Sequence, residues 1–156
     1  MSSKFFKTHK QQFQSKGLLF QHQKAIGGHF PFFKCKFEGN VLICAATISK
    51  DDYRNVYKVE IRCVAGFEPS TKIVEPNSIV PCIEIHMYPN HTLCLHYPPD
   101  MKWTGWTPIY RYTIPWLLEW IHYYEIYLIN GNVWEGPESP VHFTNADQNV
   151  AEETDF

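Results

Sequence analysis

Seven consecutive residues limit what this chain can become more than any other stretch does. Tyr57, Val59, Ile61 and Cys63 alternate with Lys58, Glu60 and Arg62, a period of two that a β-strand converts into one apolar face and one wet face. Such a strand needs partners along its edges and a second layer over its apolar side. The partners are near in sequence. Val41 to Ile48 is a short apolar run of β-branched and small residues, as in a well-buried strand, and it follows the turn signal Glu38-Gly39-Asn40. The aromatic run from Phe30 to Phe37 leads into that turn. A further strand is expected near Ile79–His86, where Ile83 and Ile85 alternate with Glu84 and His86. Pro81 must then sit at its start or on an edge. Successive strands with short turns predict an antiparallel meander.

The covering layer is read from a different period. Ile114, Leu117, Ile121, Tyr124 and Leu128 are spaced 3, 4, 3 and 4, which places them on one face of a helix. Thr113 is a candidate N-cap, Pro115 fits the first turn, and Asn130-Gly131 provides a stop. Near the amino terminus, Phe6, Phe13 and Phe20 lie seven apart and predict a leading helix over residues 3–25, ended by Gly27-Gly28. Pro98, Pro99, Gly105 and Pro108 mark residues 97–112 as a loop. The expected order is a leading helix (1–28), a sheet (29–96), a loop (97–112), a helix (113–130) and an acidic tail (132–156). This is an α+β architecture in one domain spanning 1–156, long enough to bury a single core.

Charge excludes some functions and is unevenly placed. A formal net charge of −2 argues against nucleic acid or a membrane as the main partner. Residues 1–37 hold seven lysines and no acid, whereas 132–156 hold six acids and no Lys or Arg, the pattern of solvated terminal faces or of a docking surface. No apolar run approaches the ~18 residues that span a bilayer, and the first residues lack the apolar core of a secretory signal. Five cysteines without tight spacing are expected as reduced thiols in a cytoplasm.

Cys82, His86, His91, Cys94 and His96 crowd into one stretch, and three readings compete there. In the first, Cys94 is a nucleophile. A thiolate accepts an acyl group readily, and the thioester stays reactive toward amines. His96 stands at i+2, on the same side of an extended chain as Cys94, and His86 can approach from the preceding strand. Asn90 or backbone N–H groups would supply oxyanion donors. In the second, the cluster offers enough ligands for tetrahedral zinc, although no C-x2-C or H-x3-H pair is present. In the third, Cys94 is a buried structural cysteine, which is also the natural reading of Cys35, Cys44 and Cys63 within strand-like patterns.

The stretch from His86 to Trp134, about a third of the chain, resembles the ubiquitin-conjugating enzyme family. More narrowly, it resembles the stand-alone UBC-like proteins of short type II CBASS antiphage operons. The resemblance rests on His86-Met87-Tyr88, Leu93-Cys94-Leu95-His96-Tyr97-Pro98, Trp103, Pro115-Trp116, Glu119-Trp120, Tyr124-Glu125, and Gly131 with Trp134. It implies a UBC-like fold in which Cys94 forms the thioester and His86 takes the place of the histidine in the family's His-Pro-Asn tripeptide. Trp103 matches the tryptophan that follows the active cysteine. It further implies a cytoplasmic, cysteine-dependent transferase that needs no cofactor. That enzyme takes the C-terminal glycine carboxyl of a cGAS/DncV-like nucleotidyltransferase and passes it to a target amine, priming cyclic-nucleotide signalling against phage. Met87-Tyr88 stands where that family has Pro-Asn, and Pro89-Asn90 follows only four residues before Cys94. No glycine-rich phosphate loop or adenylation motif is visible, so a separate activating ATPase is expected. The alternatives are an inactive binding module of the same fold, with Trp103, Trp106 and Tyr110 as anchors, and a zinc-stabilised interaction domain.

Overall fold

The computed structural model describes residues 2–95 and 102–137, with side chains from Lys16 onward. It is α+β: a leading helix, a four-stranded antiparallel sheet and a second long helix. Helix α1 (Ser2–His29) is followed by β1 (Lys34–Glu38), β2 (Val41–Ile48), β3 (Tyr57–Val64) and β4 (Ser70–Glu75), and helix α2 (Thr113–Ile129) closes the order. The strands pair in sequence order as a meander.

The alternation in β3 does what its period demands. Tyr57, Val59, Ile61 and Cys63 are buried while Lys58 and Arg62 are exposed, and the register sets Ile61 beside Cys44 and Cys63 beside Leu42. Over this face lies α2. Ile114, Leu117, Ile121 and Tyr124 are buried as their spacing predicts, and Leu128 is half-buried. Trp120 and Glu125 on the same helix are buried too. The Tyr57 and Tyr124 rings meet edge-on at 6.3 Å. Glu125 accepts hydrogen bonds from the N–H groups of Arg54 and Asn55 and from the Tyr57 hydroxyl (3.1 Å), fastening the β2–β3 connection to α2. Toward the β1 edge of the same face lies α1, whose Leu19 and Ile26 join the same core. Phe20 meets Phe37 at 4.7 Å, and Gln23 Nε2 donates to the Cys35 carbonyl at 3.2 Å.

Four expectations are corrected. No strand runs through Ile79–His86; Ile83–Ile85 instead forms one 3-10 turn. Pro81 cannot donate to a ladder, and the Ile85 carbonyl is taken by the indole of Trp120 (2.6 Å) rather than by a strand. The fourth strand is β4, whose signal is weak because only Thr71 and Ile73 are buried along it. Gly27-Gly28 does not end α1, which continues to His29. Each glycine costs about 1 kcal/mol relative to alanine in a helix. The end is nevertheless anchored by buried Ile26 and by the His29 ring stacked on Tyr110 at 4.0 Å. The apolar stripe of α1 is Leu19 with Ile26, while Phe20 is exposed; the side chains of Phe6 and Phe13 lie outside the described ones. Finally, the N-cap of α2 is Tyr112, with no side-chain capping bond, and Thr113 is the first helical residue. The preceding turn winds the chain into the helix, as the Arg111 and Tyr112 N–H groups both bond the Pro108 carbonyl at 3.2 Å. The predicted stop at Asn130-Gly131 stands, with Asn130 the C-cap and Gly131 at φ 82.

Candidate active site

Between β4 and α2 the chain makes a tight excursion from Cys82 to Leu95, and its backbone bonds place Cys94. Beyond the 3-10 turn, His86 takes a left-handed conformation (φ 58) and redirects the chain. Residues 86–88 then run antiparallel to 92–94: Tyr88 N–H bonds the Thr92 carbonyl at 2.8 Å, and Cys94 N–H bonds the His86 carbonyl at 2.9 Å. His91 closes the turn, again at positive φ (67), and its N–H bonds the Tyr88 carbonyl.

The other edge of the segment 91–93 lies on β4. Ile73 N–H bonds the His91 carbonyl (3.0 Å) and Leu93 N–H bonds the Thr71 carbonyl (2.8 Å), around a bridge between Lys72 and Thr92. Leu93 is 7% exposed and belongs to the core, whereas Thr92 and Cys94 on either side of it are half-buried. The result is a cysteine outside the core at the end of a segment held from both edges.

The other thiols differ. Cys44 and Cys63 are buried in β2 and β3. Cys35 sits opposite Cys44 on β1; its hydrogen bond to Cys44 and then burial push its thiol far above the usual range. For Cys44 the bond with Cys35 acts the other way, but the bond with Cys63 and burial outweigh it, so this thiol is also raised far above the usual range. Neither supplies thiolate near neutral pH. Cys82 is half-buried, and its carbonyl accepts the Met87 N–H at 3.2 Å.

Of the residues expected beside Cys94, His86 is brought to it through its main chain. Its ring is 6% exposed and meets Trp134 edge-on at 5.6 Å. His86 therefore braces the segment rather than presenting a ring to solvent. His96 lies outside the described residues. Asn90 is on the turn, with its side-chain oxygen accepting from both the N–H and the hydroxyl of Thr92, so its Nδ2 amide is the donor end. Trp103 is half-buried in a crevice with Leu18, His22, Ala65 and Ile109. There His22 Nε2 reaches the Gly105 carbonyl at 3.0 Å. Tyr110 is occupied by His29. Among the described residues no three His, Cys, Asp or Glu side chains converge as a metal site.

One constellation escaped the sequence reading. After α2 the chain folds back so that Trp134 packs with Trp120 (6.2 Å), Tyr123 (6.2 Å) and Tyr127 (6.5 Å), as well as His86. The helical spacing of Trp120, Tyr123 and Tyr127 signals a shared face, but nothing local indicates that His86 docks on it.

Residues 22–142 match the family of the Type II CBASS E2 protein. This span holds most of the chain, including the whole sheet, Cys94 and α2. The chain belongs to that family. As a member it has an E2-like role in a CBASS antiphage system, working with the other proteins of such an operon. No curated protein matches the chain. No helix among the described residues is long and apolar enough to cross a membrane.

Proposed function

We propose that Cys94 is the thioester-forming nucleophile of a UBC-like transferase. Its thiolate attacks the activated C-terminal glycine carboxyl of a cGAS/DncV-like nucleotidyltransferase, delivered by a separate activating ATPase, and the activating group leaves. A target amine then attacks the acyl carbon. The C–N bond forms, the C–S bond breaks, and the sulfur departs as thiolate. The observation that carries this reading is the placement of a half-buried thiol at the end of a segment hydrogen-bonded on both edges. An acyl carbon there is held in one place while the amine arrives.

In this scheme His86 is a positioning residue, acting through its carbonyl and its buried ring. His96, two residues beyond Cys94, takes or returns the thiol proton. Nδ2 of Asn90 is the candidate donor to the oxyanion, a role worth ~10²–10³ in rate. The order helix, antiparallel meander, cysteine-bearing segment and helix supports the UBC-like fold.

The test is conjugate formation followed by intact mass and gel shift, with the nucleotidyltransferase and its activating ATPase present. Cys94→Ala abolishes thiol-labile and stable conjugates, while Cys63→Ala, at a buried strand position, retains them. Unchanged conjugation by Cys94→Ala removes the proposal. One observation favours a second reading, a binding module. Phe67 and Trp106, each 71% exposed, follow Gly66 and Gly105, which approach each other closely. A binding module keeps partner capture after Cys94→Ala and shows no thioester in the parent protein.

A further inference from the structure

Lys72 and Thr92 face each other across the bridge that joins β4 to the cysteine segment. The hydrogen bonds flanking the bridge, Ile73 to His91 and Leu93 to Thr71, make Lys72 and Thr92 a non-hydrogen-bonded pair. In such pairs the two backbones and side chains are at their closest. Thr71, Ile73 and Leu93 turn into the core, so Lys72, Thr92 and, two residues further along the same segment, Cys94 share the outer face. Lys72 and Cys94 are thus diagonal cross-strand neighbours, at a Cα separation of about 7–8 Å. The flexible four-carbon stem of a lysine covers such a gap.

On the outer face Lys36 pairs with Glu38, Lys58 with Glu75 and Arg62 with Glu60; Lys34, the remaining outer-face lysine of the strands besides Lys72, is three strands away on β1. Glu60, the register partner of Lys72 on β3, is the carboxylate that Arg62 holds at 3.5 Å. Lys72 is exposed and makes no ion pair with any described residue.

We propose that Lys72 is an intramolecular acceptor for the acyl group on Cys94, so that the protein modifies itself. The proposal rests on Cys94 being the thioester-forming residue. In the step, the Lys72 ammonium first gives a proton to solvent. The neutral amine attacks the thioester carbon, the C–N bond of an isopeptide forms, and the C–S bond breaks. The Cys94 thiolate leaves and takes up a proton. No oxidant or further co-reactant enters. The product carries the partner's chain end on β4 and regenerates the thiol, giving the acyl group a destination within the same molecule when no external amine arrives.

The probe is a synthetic glycine-terminated peptide thioester mixed with the purified full chain, which bypasses the activating step. Intact mass is followed before and after excess dithiothreitol, with peptide mapping of each adduct. Expected is a thiol-labile adduct on Cys94 that matures into a thiol-resistant adduct on Lys72, at a rate unchanged on dilution. Lys72→Arg keeps the charge and the labile adduct but slows formation of the resistant one by about tenfold or more, because an amine held beside its acyl donor far exceeds any free amine in effective concentration. A resistant adduct that maps elsewhere, or forms in Lys72→Arg at the parent rate, overturns the proposal and leaves Cys94 as nucleophile. So does a labile adduct that only hydrolyses. Absence of any Cys94 adduct in the parent protein overturns both.

Discussion

Trp120→Phe tests how the site is held in place. The indole is 4% exposed, stacks on Tyr124 at 5.0 Å and donates through Nε1 to the Ile85 carbonyl at 2.6 Å. Phenylalanine keeps an aromatic ring there but removes the donor. Ile85 is itself 1% exposed, so water has little access to its carbonyl, and an orphaned buried acceptor costs about 1–3 kcal/mol. Shrinking indole to phenyl adds roughly 1 kcal/mol, well below the 3–5 of a full truncation to alanine. The sum is about 2–4 kcal/mol. In a chain of this length that corresponds to a fall in Tm of roughly 4–16 °C.

The consequence is local as well as global. The Ile85 carbonyl is one residue before His86, whose own carbonyl holds Cys94. Releasing it therefore loosens the segment that carries the thiol. The assay pairs thermal and urea denaturation, read by circular dichroism, with the native alkylation rate of Cys94. Trp106→Phe, at an exposed position, is the control and stays within about 0.5 kcal/mol of the parent. If Trp120→Phe melts within a degree of the parent and its Cys94 reacts at the parent rate, the Ile85 carbonyl is not held in the way described.

Two further outcomes follow from the buried polar contacts of α2. Glu125→Ala leaves the Arg54 and Asn55 N–H groups and the Tyr57 hydroxyl without their acceptor; urea denaturation should show a loss of about 2–4 kcal/mol, part of it restored in Glu125→Gln, whose amide oxygen still accepts. Burial above all raises the Tyr57 phenol far above its ordinary value; its bond to Asn55 opposes the shift and the Glu125 carboxylate reinforces it. Because the folded pKa is the higher one, this contribution is intact below the unfolded value of about 10 and is lost as pH rises beyond it. Stability measured in urea should therefore drop between about pH 9 and pH 11, and equal stability at both would refute the assignment.

Elements that bury a regular face within their own sequence were readable before the structure. β3 alternates without a break, and α2 keeps its spacing through four turns. The failures share a cause: competing contacts from distant residues. Ile79–His86 has strand-like alternation, yet the Trp120 side chain, 35 residues from Ile85, takes the carbonyl a ladder would need. Ser70–Glu75 lacks a strong pattern because only Thr71 and Ile73 are buried along it; its place comes from five register pairs with β3 and one bridge to Thr92 on its other edge. At Gly27-Gly28 a local breaker loses to the tertiary anchors Ile26 and His29.

The candidate site divides along the same line. Cys94 and His86 stand out in the sequence by residue type, whereas the main-chain bond that joins them is encoded by no side-chain motif. Residues 91–93 bond β4 on one edge, and the same short segment bonds residues 86–88 on the other through Thr92 and Cys94. A segment satisfied on both edges cannot slide by one residue without breaking both sets of bonds and turning Leu93 out of the core. The main chain at residue 94 is therefore set by Leu93 and by the pairing on both edges. Met87-Tyr88 lies within that pairing, with the Tyr88 N–H on the Thr92 carbonyl and the His86 carbonyl on the Cys94 N–H. The same stretch is braced from α2 by the indole of Trp120 on the Ile85 carbonyl and from within by Met87, whose side chain is buried in the core.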